Sequence, residues 1–300
     1  DADSPITKEL VTHAQVRIVD YTGSSAFGTW IEHNATQATV YAEKAGVNSV
    51  IVDSVDNLRA MTSNLAFTLS LYSGQMCTTS QNIFIPRDGI MAGGEHVSFD
   101  DVAGGLIKAI NGLLGDNARA CEVLGAIQSP ATAERIEKVK ADGGTVLRDS
   151  EAVTDERFPE ARIHSPLIIK VDASDKALFE REMFGPVTYI IATNNTTQSI
   201  ELASSIAAEH GAITAGIYST DTATLAAAED ATAHAGVPLS CNLVGGIYVN
   251  QAAAFSDYHV TGCNPAGNAT LCDAGFITGR FHIVQSRVLV PVEATAHAGV

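Results

Sequence analysis

Short β-branched apolar runs alternate with segments of helical period along most of the chain, and this alternation constrains the fold more than any other feature. "VRIVDYTG" reads as a buried strand and "SSAFGTWIEHNATQ" as a helix; "ATVYAEKAG" and "VNSVIVDS" read as strands. From Asp56 to Ser73 the residues Leu58, Met61, Leu65 and Leu69 recur at helical spacing, with Gly74 as the stop. "NIFIP" is a strand closed by Pro86, and Ser98 is placed to cap a helix over Phe99–Gly115. Ser129-Pro130 opens another helix and Gly143-Gly144 closes it. "SPLIIKV", "VTYIIAT", "AITAGIYS" and "GGIYVNQ" read as further strands, separated after the second by helical "TTQSIELASSIAAEHG" and "TATLAAAEDATAHAG". Strands alternating with helices of this length predict an α/β fold with parallel sheets covered on both faces.

The 300 residues suffice for two domains, and 46% apolar with 17% charged residues supplies a core. No apolar run approaches the ~18 residues of a membrane span, and "DADSPITKEL" does not read as a signal peptide. A net charge of −16 excludes a general nucleic-acid binder, which needs a basic face. It leaves room for a nucleotide cofactor, whose pyrophosphate can be held by backbone N–H groups at a helix start. Five cysteines without a C-x-x-C pair argue against a disulfide framework or a zinc site, so no metal is expected and reduced thiols in a cytoplasmic protein are.

Three segments can carry chemistry. "TGSSAFG" (22–28) lies between a strand and a helix, where it is either a tight turn or an anion site. Glu43 ends a strand run, as a solvated carboxylate or as a general base. Cys77, in "LYSGQMCTTSQNIFIP", is either a small core thiol or a nucleophile in a helix-to-strand connection. A helix carboxyl end would oppose a thiolate, so a nucleophile here needs loop N–H groups or a bound cation.

Taken in order, Gly23-Ser24 with Gly28, then Glu43, then Gly74-Gln75-Met76-Cys77, then Glu182-Met183-Phe184-Gly185-Pro186 resemble the aldehyde dehydrogenase superfamily. The spacing from Glu43 to Cys77 matches that family's spacing between base and nucleophile. More narrowly, "AEKAGVN", "LYSGQMCTT" and "VNQAAAFSDYHVTGCNPAGNA" resemble its phenylacetic acid degradation PaaN branch. The resemblance implies a three-layer parallel-sheet catalytic domain over 44–250. Residues 1–43 would be the end of a Rossmann-like NAD(P)-binding domain, and 251–300 a return segment and tail. It implies NAD or NADP as cofactor, an aldehyde as substrate and a homo-oligomer, dimer or tetramer.

By the same resemblance Cys77 is the nucleophile and Glu43 the base that activates water. Gly23 and Ser24 contact the pyrophosphate, Glu182 the nicotinamide ribose, and Phe184 packs beside it. Phe255 is a candidate for the substrate pocket. Two departures stand out. The usual E-L-G-G-K is Glu43-Lys44-Ala45-Gly46-Val47, and the usual late P-F-G-G is replaced by "AAAFSDYHVTG". The family's oxyanion asparagine and adenine-ribose lysine lie upstream of TGS. The chain is therefore expected to be the carboxyl-terminal portion of a longer enzyme, binding NAD(P) poorly by itself. Three other readings stand beside this one: a coenzyme A-acylating dehydrogenase, a Cys-His hydrolase and a non-catalytic assembly module. Glu43 favours hydrolysis over the first.

Overall fold

The computed structural model describes residues 6–44, 46–248, 268–269 and 285–288. After a short helix α1 (Thr7–Thr12), strand β1 (Ile18–Thr22), helix α2 (Ser25–Asn34) and strand β2 (Thr39–Glu43) form a β-α-β unit. The two strands pair in parallel, Thr22 opposite Glu43. Val19 and Ile31 meet in a small core between strand and helix. Ser24 caps α2, its Oγ accepting the Phe27 N–H at 3.4 Å.

The chain then crosses to a larger sheet. Its elements are β3 (Asn48–Val52), β4 (Ser54–Val55), α3 (Leu58–Ser70), β5 (Ser80–Pro86), β6 (Ile90–Ala92), β7 (Glu95–Val97), α4 (Phe99–Leu114), α5 (Asn117–Leu124) and α6 (Pro130–Asp142). There follow β8 (Thr145–Arg148), β9 (Leu167–Asp172), α7 (Lys176–Phe179), β10 (Val187–Thr193), α8 (Thr196–His210), β11 (Ala215–Tyr218), α9 (Thr222–His234) and β12 (Leu239–Cys241). Two short described strands come last, β13 (Asn268–Ala269) and β14 (Ser286–Val288). The large sheet runs β14-β12-β11-β3-β5-β10-β9-β8. All its pairs are parallel except β8 with β9 at one edge. β13 joins β2 antiparallel, and β4, β6 and β7 make a small separate sheet.

Period-two alternation places the sheet between two helix layers. Ile51 and Phe84 face a core with Ile136 of α6, Ile206 of α8 and Ala228 of α9. Their neighbours Val50, Val52, Ile83 and Ile85 face the other core, with Met61 and Leu65 of α3 and Leu106 and Ile110 of α4. This is the fold class expected, with an antiparallel edge added. Ser98 caps α4, its Oγ accepting the Asp101 N–H at 3.2 Å. Ser129 precedes Pro130 at the start of α6 without a side-chain cap bond. Among the described residues no helix is long and apolar enough to cross a membrane.

Two expected elements differ. The α3 helix ends at Ser70, before Gly74, because Tyr72 (φ 54°) and Ser73 (φ 52°) turn left-handed. Side-chain bonds from Ser73 Oγ to the carbonyls of Leu124 (3.1 Å) and His164 (3.0 Å) hold that conformation. "GGIYVNQ" is not a strand in its described part: Gly245 takes φ 66°, and Asn64 Nδ2 donates to the Ile247 carbonyl at 2.7 Å. The strand falls earlier, at Leu239–Cys241.

Candidate active site

Ends of strands from both sheets converge on one cavity. β1 and β2 arrive with their carboxyl ends, at Thr22 and Glu43. The connections entering the amino ends of β5, β10 and β11 supply Cys77, Phe184 and Ile213. The cavity measures about 810 Å³, and Gly23, Ser24, Glu43, Cys77, Glu182 and Phe184 all line it. Every site residue expected from the sequence is therefore gathered here except Phe255, which lies outside the described residues.

Cys77 sits on a turn, not on a helix end. The Thr79 N–H donates to the Met76 carbonyl at 3.0 Å, and the thiol is half-buried. Three consecutive left-handed residues, Tyr72, Ser73 and Gly74 (φ 66°), deliver the chain to this turn. Gly74 is required by contact as well as by dihedral: a Cβ there would stand 2.2 Å from the Gly185 carbonyl oxygen. The G-Q-x-C and E-x-F-G-P segments thus touch backbone to backbone. Gln75 pins the same loop, its Nε2 donating to the Ala126 carbonyl at 3.0 Å and its Oε1 accepting the Gln128 N–H at 3.0 Å.

Glu43 is buried at the last position of β2. Its carbonyl accepts the Gly23 N–H at 3.1 Å, tying Glu43 to the turn before α2. The next residue strengthens that tie. Lys44 is buried, its Nζ pairs with Glu32 Oε2 at 2.7 Å, and its carbonyl accepts from Ser25 Oγ at 2.8 Å. Its stem fills the space over Gly28, where a Cβ would lie 2.5 Å from Lys44 Cγ.

Glu182 lines the same cavity. Gln81, buried at the start of β5, holds its segment: Nε2 donates to the Arg181 carbonyl at 2.9 Å, and Oε1 accepts the Met183 N–H at 2.6 Å. Asn82 Nδ2 adds a bond to the Phe179 carbonyl at 3.0 Å, and Arg135 donates to the Phe184 carbonyl. Glu182 Oε1 accepts the Gly46 N–H at 3.1 Å. Burial pushes its carboxyl up to about 7; the Gly46 N–H and Arg135 pull against this, and Glu43 adds to it.

A family profile described as "Aldehyde dehydrogenase family" matches residues 1–268. The chain belongs to the aldehyde dehydrogenase family. A solved NAD-dependent aldehyde dehydrogenase from Burkholderia multivorans is 49% identical, with a TM-score of 0.86 over 92% of this chain and 49% of that one. Aldehyde dehydrogenase family 7 member B4 of Arabidopsis thaliana is 24% identical over 67% of this chain and 38% of its own length. A structure of indole-3-acetaldehyde dehydrogenase complexed with NAD+ shares the fold at a TM-score of 0.61, with 18% identity over 81% of this chain and 48% of that one. The chain spans about half the length, or less, of these relatives.

Membership in this family makes the altered E-L-G-G-K segment informative. Of the usual glycine pair only Gly46 remains, and contact explains why: a Cβ there would lie 2.3 Å from the Cys77 carbonyl oxygen and 3.2 Å from Glu182 Oε1. Several residues that shape the site carried no signal in sequence, namely Asn48, Gln81 and Arg135. Their partners lie far along the chain. Cys121 and Cys241 take no part in the cavity; both are buried, and burial pushes the Cys241 thiol up to about 11.

Proposed function

We propose that the protein carrying this chain oxidises an aldehyde to a carboxylic acid with NAD or NADP, through a thioester on Cys77. The observation that carries this reading is the single cavity shared by Cys77, Glu43, Glu182 and the amino end of α2. The Cys77 thiolate adds to the aldehyde carbon, forming a C–S bond and placing the carbonyl electrons on oxygen. Bound NAD(P)+ would supply the hydride acceptor, with its pyrophosphate at Gly23, Ser24 and the α2 amino end, its nicotinamide ribose at Glu182 and Phe184 beside it. Loss of the hydride from the carbon on Cys77 leaves the thioester. Glu43 then takes a proton from water as the water oxygen attacks, and the C–S bond breaks to return the thiolate and release the acid.

The donor set suits such a cofactor. The first turn of α2 presents backbone N–H groups and the positive dipole end, which favour an anion without a net positive surface. Ser24 and Gly23 are exposed on the cavity rim. A buried carboxylate in the base position supports hydrolysis over transfer to coenzyme A. The PaaN-like segments support a semialdehyde derived from ring-opened phenylacetyl-CoA as substrate, and Phe255 as a pocket residue. A homo-oligomer completes the reading.

The test uses the complete polypeptide that carries this sequence, assayed with an aldehyde panel and each cofactor, with product identified as free acid or acyl-CoA. The reading expects free acid, a preference for semialdehydes, and no turnover in Cys77→Ser. Turnover in Cys77→Ser at the unsubstituted rate would refute it.

A further inference from the structure

Asn48 opens β3 directly beneath the nucleophile turn, and its side chain is completely buried (0% exposed). Its Nδ2 donates to the carbonyl of Cys77 at 2.7 Å and to that of Thr79 at 3.0 Å. Its Oδ1 accepts the N–H groups of Ile213 at 2.9 Å and Thr214 at 3.0 Å. Two donors meet two carbonyls and one oxygen meets two N–H groups, so the planar amide is fully used and its orientation is unambiguous. Just here the β3–β5 register shifts: Asn48 lies opposite Ser80, and Ser49 opposite Asn82. The bulge lies where the chain leaves the Cys77 turn and joins the ladder as β5.

We propose that Asn48 is a positioning residue for the nucleophile. It clamps the carbonyl of Cys77 itself and the second carbonyl of the same turn to the segment entering β11, fixing how the thiol is presented to the cavity. The proposal rests on the reading of Cys77 as nucleophile. Serine is too short to span both carbonyls. Aspartate keeps the acceptor for Ile213 and Thr214 but sets a carboxylate oxygen against two carbonyl oxygens.

The experiment compares Asn48→Asp, Asn48→Ser and Cys77→Ser in the complete polypeptide. The measurements are thermal unfolding, NAD(P)+ dissociation constant, kcat, and the pH profile of Cys77 alkylation by iodoacetamide, mapped by mass spectrometry. The expected result is at least one Asn48 variant that unfolds cooperatively and binds cofactor within about twofold of the parent. That variant loses at least tenfold in kcat and has a displaced alkylation profile. A folded variant with parental kcat and alkylation profile overturns the proposal. So does failure of both variants to fold, which would make Asn48 a folding residue only. Activity retained in Cys77→Ser would instead sink the thioester reading, while the alkylation profile would still decide whether Asn48 positions the thiol.

Discussion

Gly46 lies so close to Cys77 that a Cβ on the glycine would stand 2.3 Å from the cysteine's carbonyl oxygen. This contact brings the segment after Glu43 against the Cys77 turn, with Asn48 just beyond. Gly46→Ala is expected to push the turn away, at an overpacking cost of about 1–3 kcal/mol. Stopped-flow alkylation of Cys77 and the melting temperature should both fall. An alanine variant with parental values would mean the contact is soft.

Glu182 adds a pH dependence. Its folded carboxyl titrates near 7, above its ordinary 4.5, so the folded chain holds an extra proton between those values. The associated stability is present at acid pH and is lost as pH rises through about 7, with a slope of up to about 1.4 kcal/mol per pH unit. Glu182→Gln should remove that slope in denaturant titrations run between pH 5 and pH 8. If Glu182 accepts from a ribose hydroxyl, cofactor affinity in the parent should rise with pH through the same window and stay flat in the glutamine variant.

Gln81 is buried and holds the Glu182 segment by bonds to Arg181 and Met183. Gln81→Leu leaves those backbone groups unpaired, at a cost of about 1–3 kcal/mol for each buried group. The expected signature is a several-fold rise in KM for NAD(P) with a smaller change in kcat. An unchanged KM would place the cofactor contact elsewhere.

In the proposed mechanism, Glu43→Gln is expected to separate the two half-reactions. Removing a general base costs about 10² to 10⁴ in rate. A burst of NAD(P)H equal to the enzyme concentration should persist, followed by slow turnover. Loss of the burst along with turnover would assign Glu43 to thiol activation instead.

How much of this was legible depended on where each residue's partners lie. The motif residues sit at strand ends in ordered spacing, so linear pattern carried them: Thr22 and Glu43 end paired parallel strands, and Cys77 lies three residues before β5. Asn48 and Gln81 read as polar residues at the edges of apolar strands, and their role appears only when Ile213 and Arg181 fold against them. The early end of α3 was hidden for the same reason. Nothing local makes Tyr72 and Ser73 left-handed; Leu124 and His164 do, through the Ser73 hydroxyl. "GGIYVNQ" has strand composition, but Asn64 takes the Ile247 carbonyl that a ladder would need.

The most direct test of the whole account is the mass of the peptide containing Cys77. The complete Glu43→Gln polypeptide, given aldehyde and NAD(P)+ and quenched in acid, should carry an acyl group on Cys77 in near-stoichiometric amount, absent when either reactant is omitted. An unmodified Cys77 accompanied by full NAD(P)H formation would contradict it.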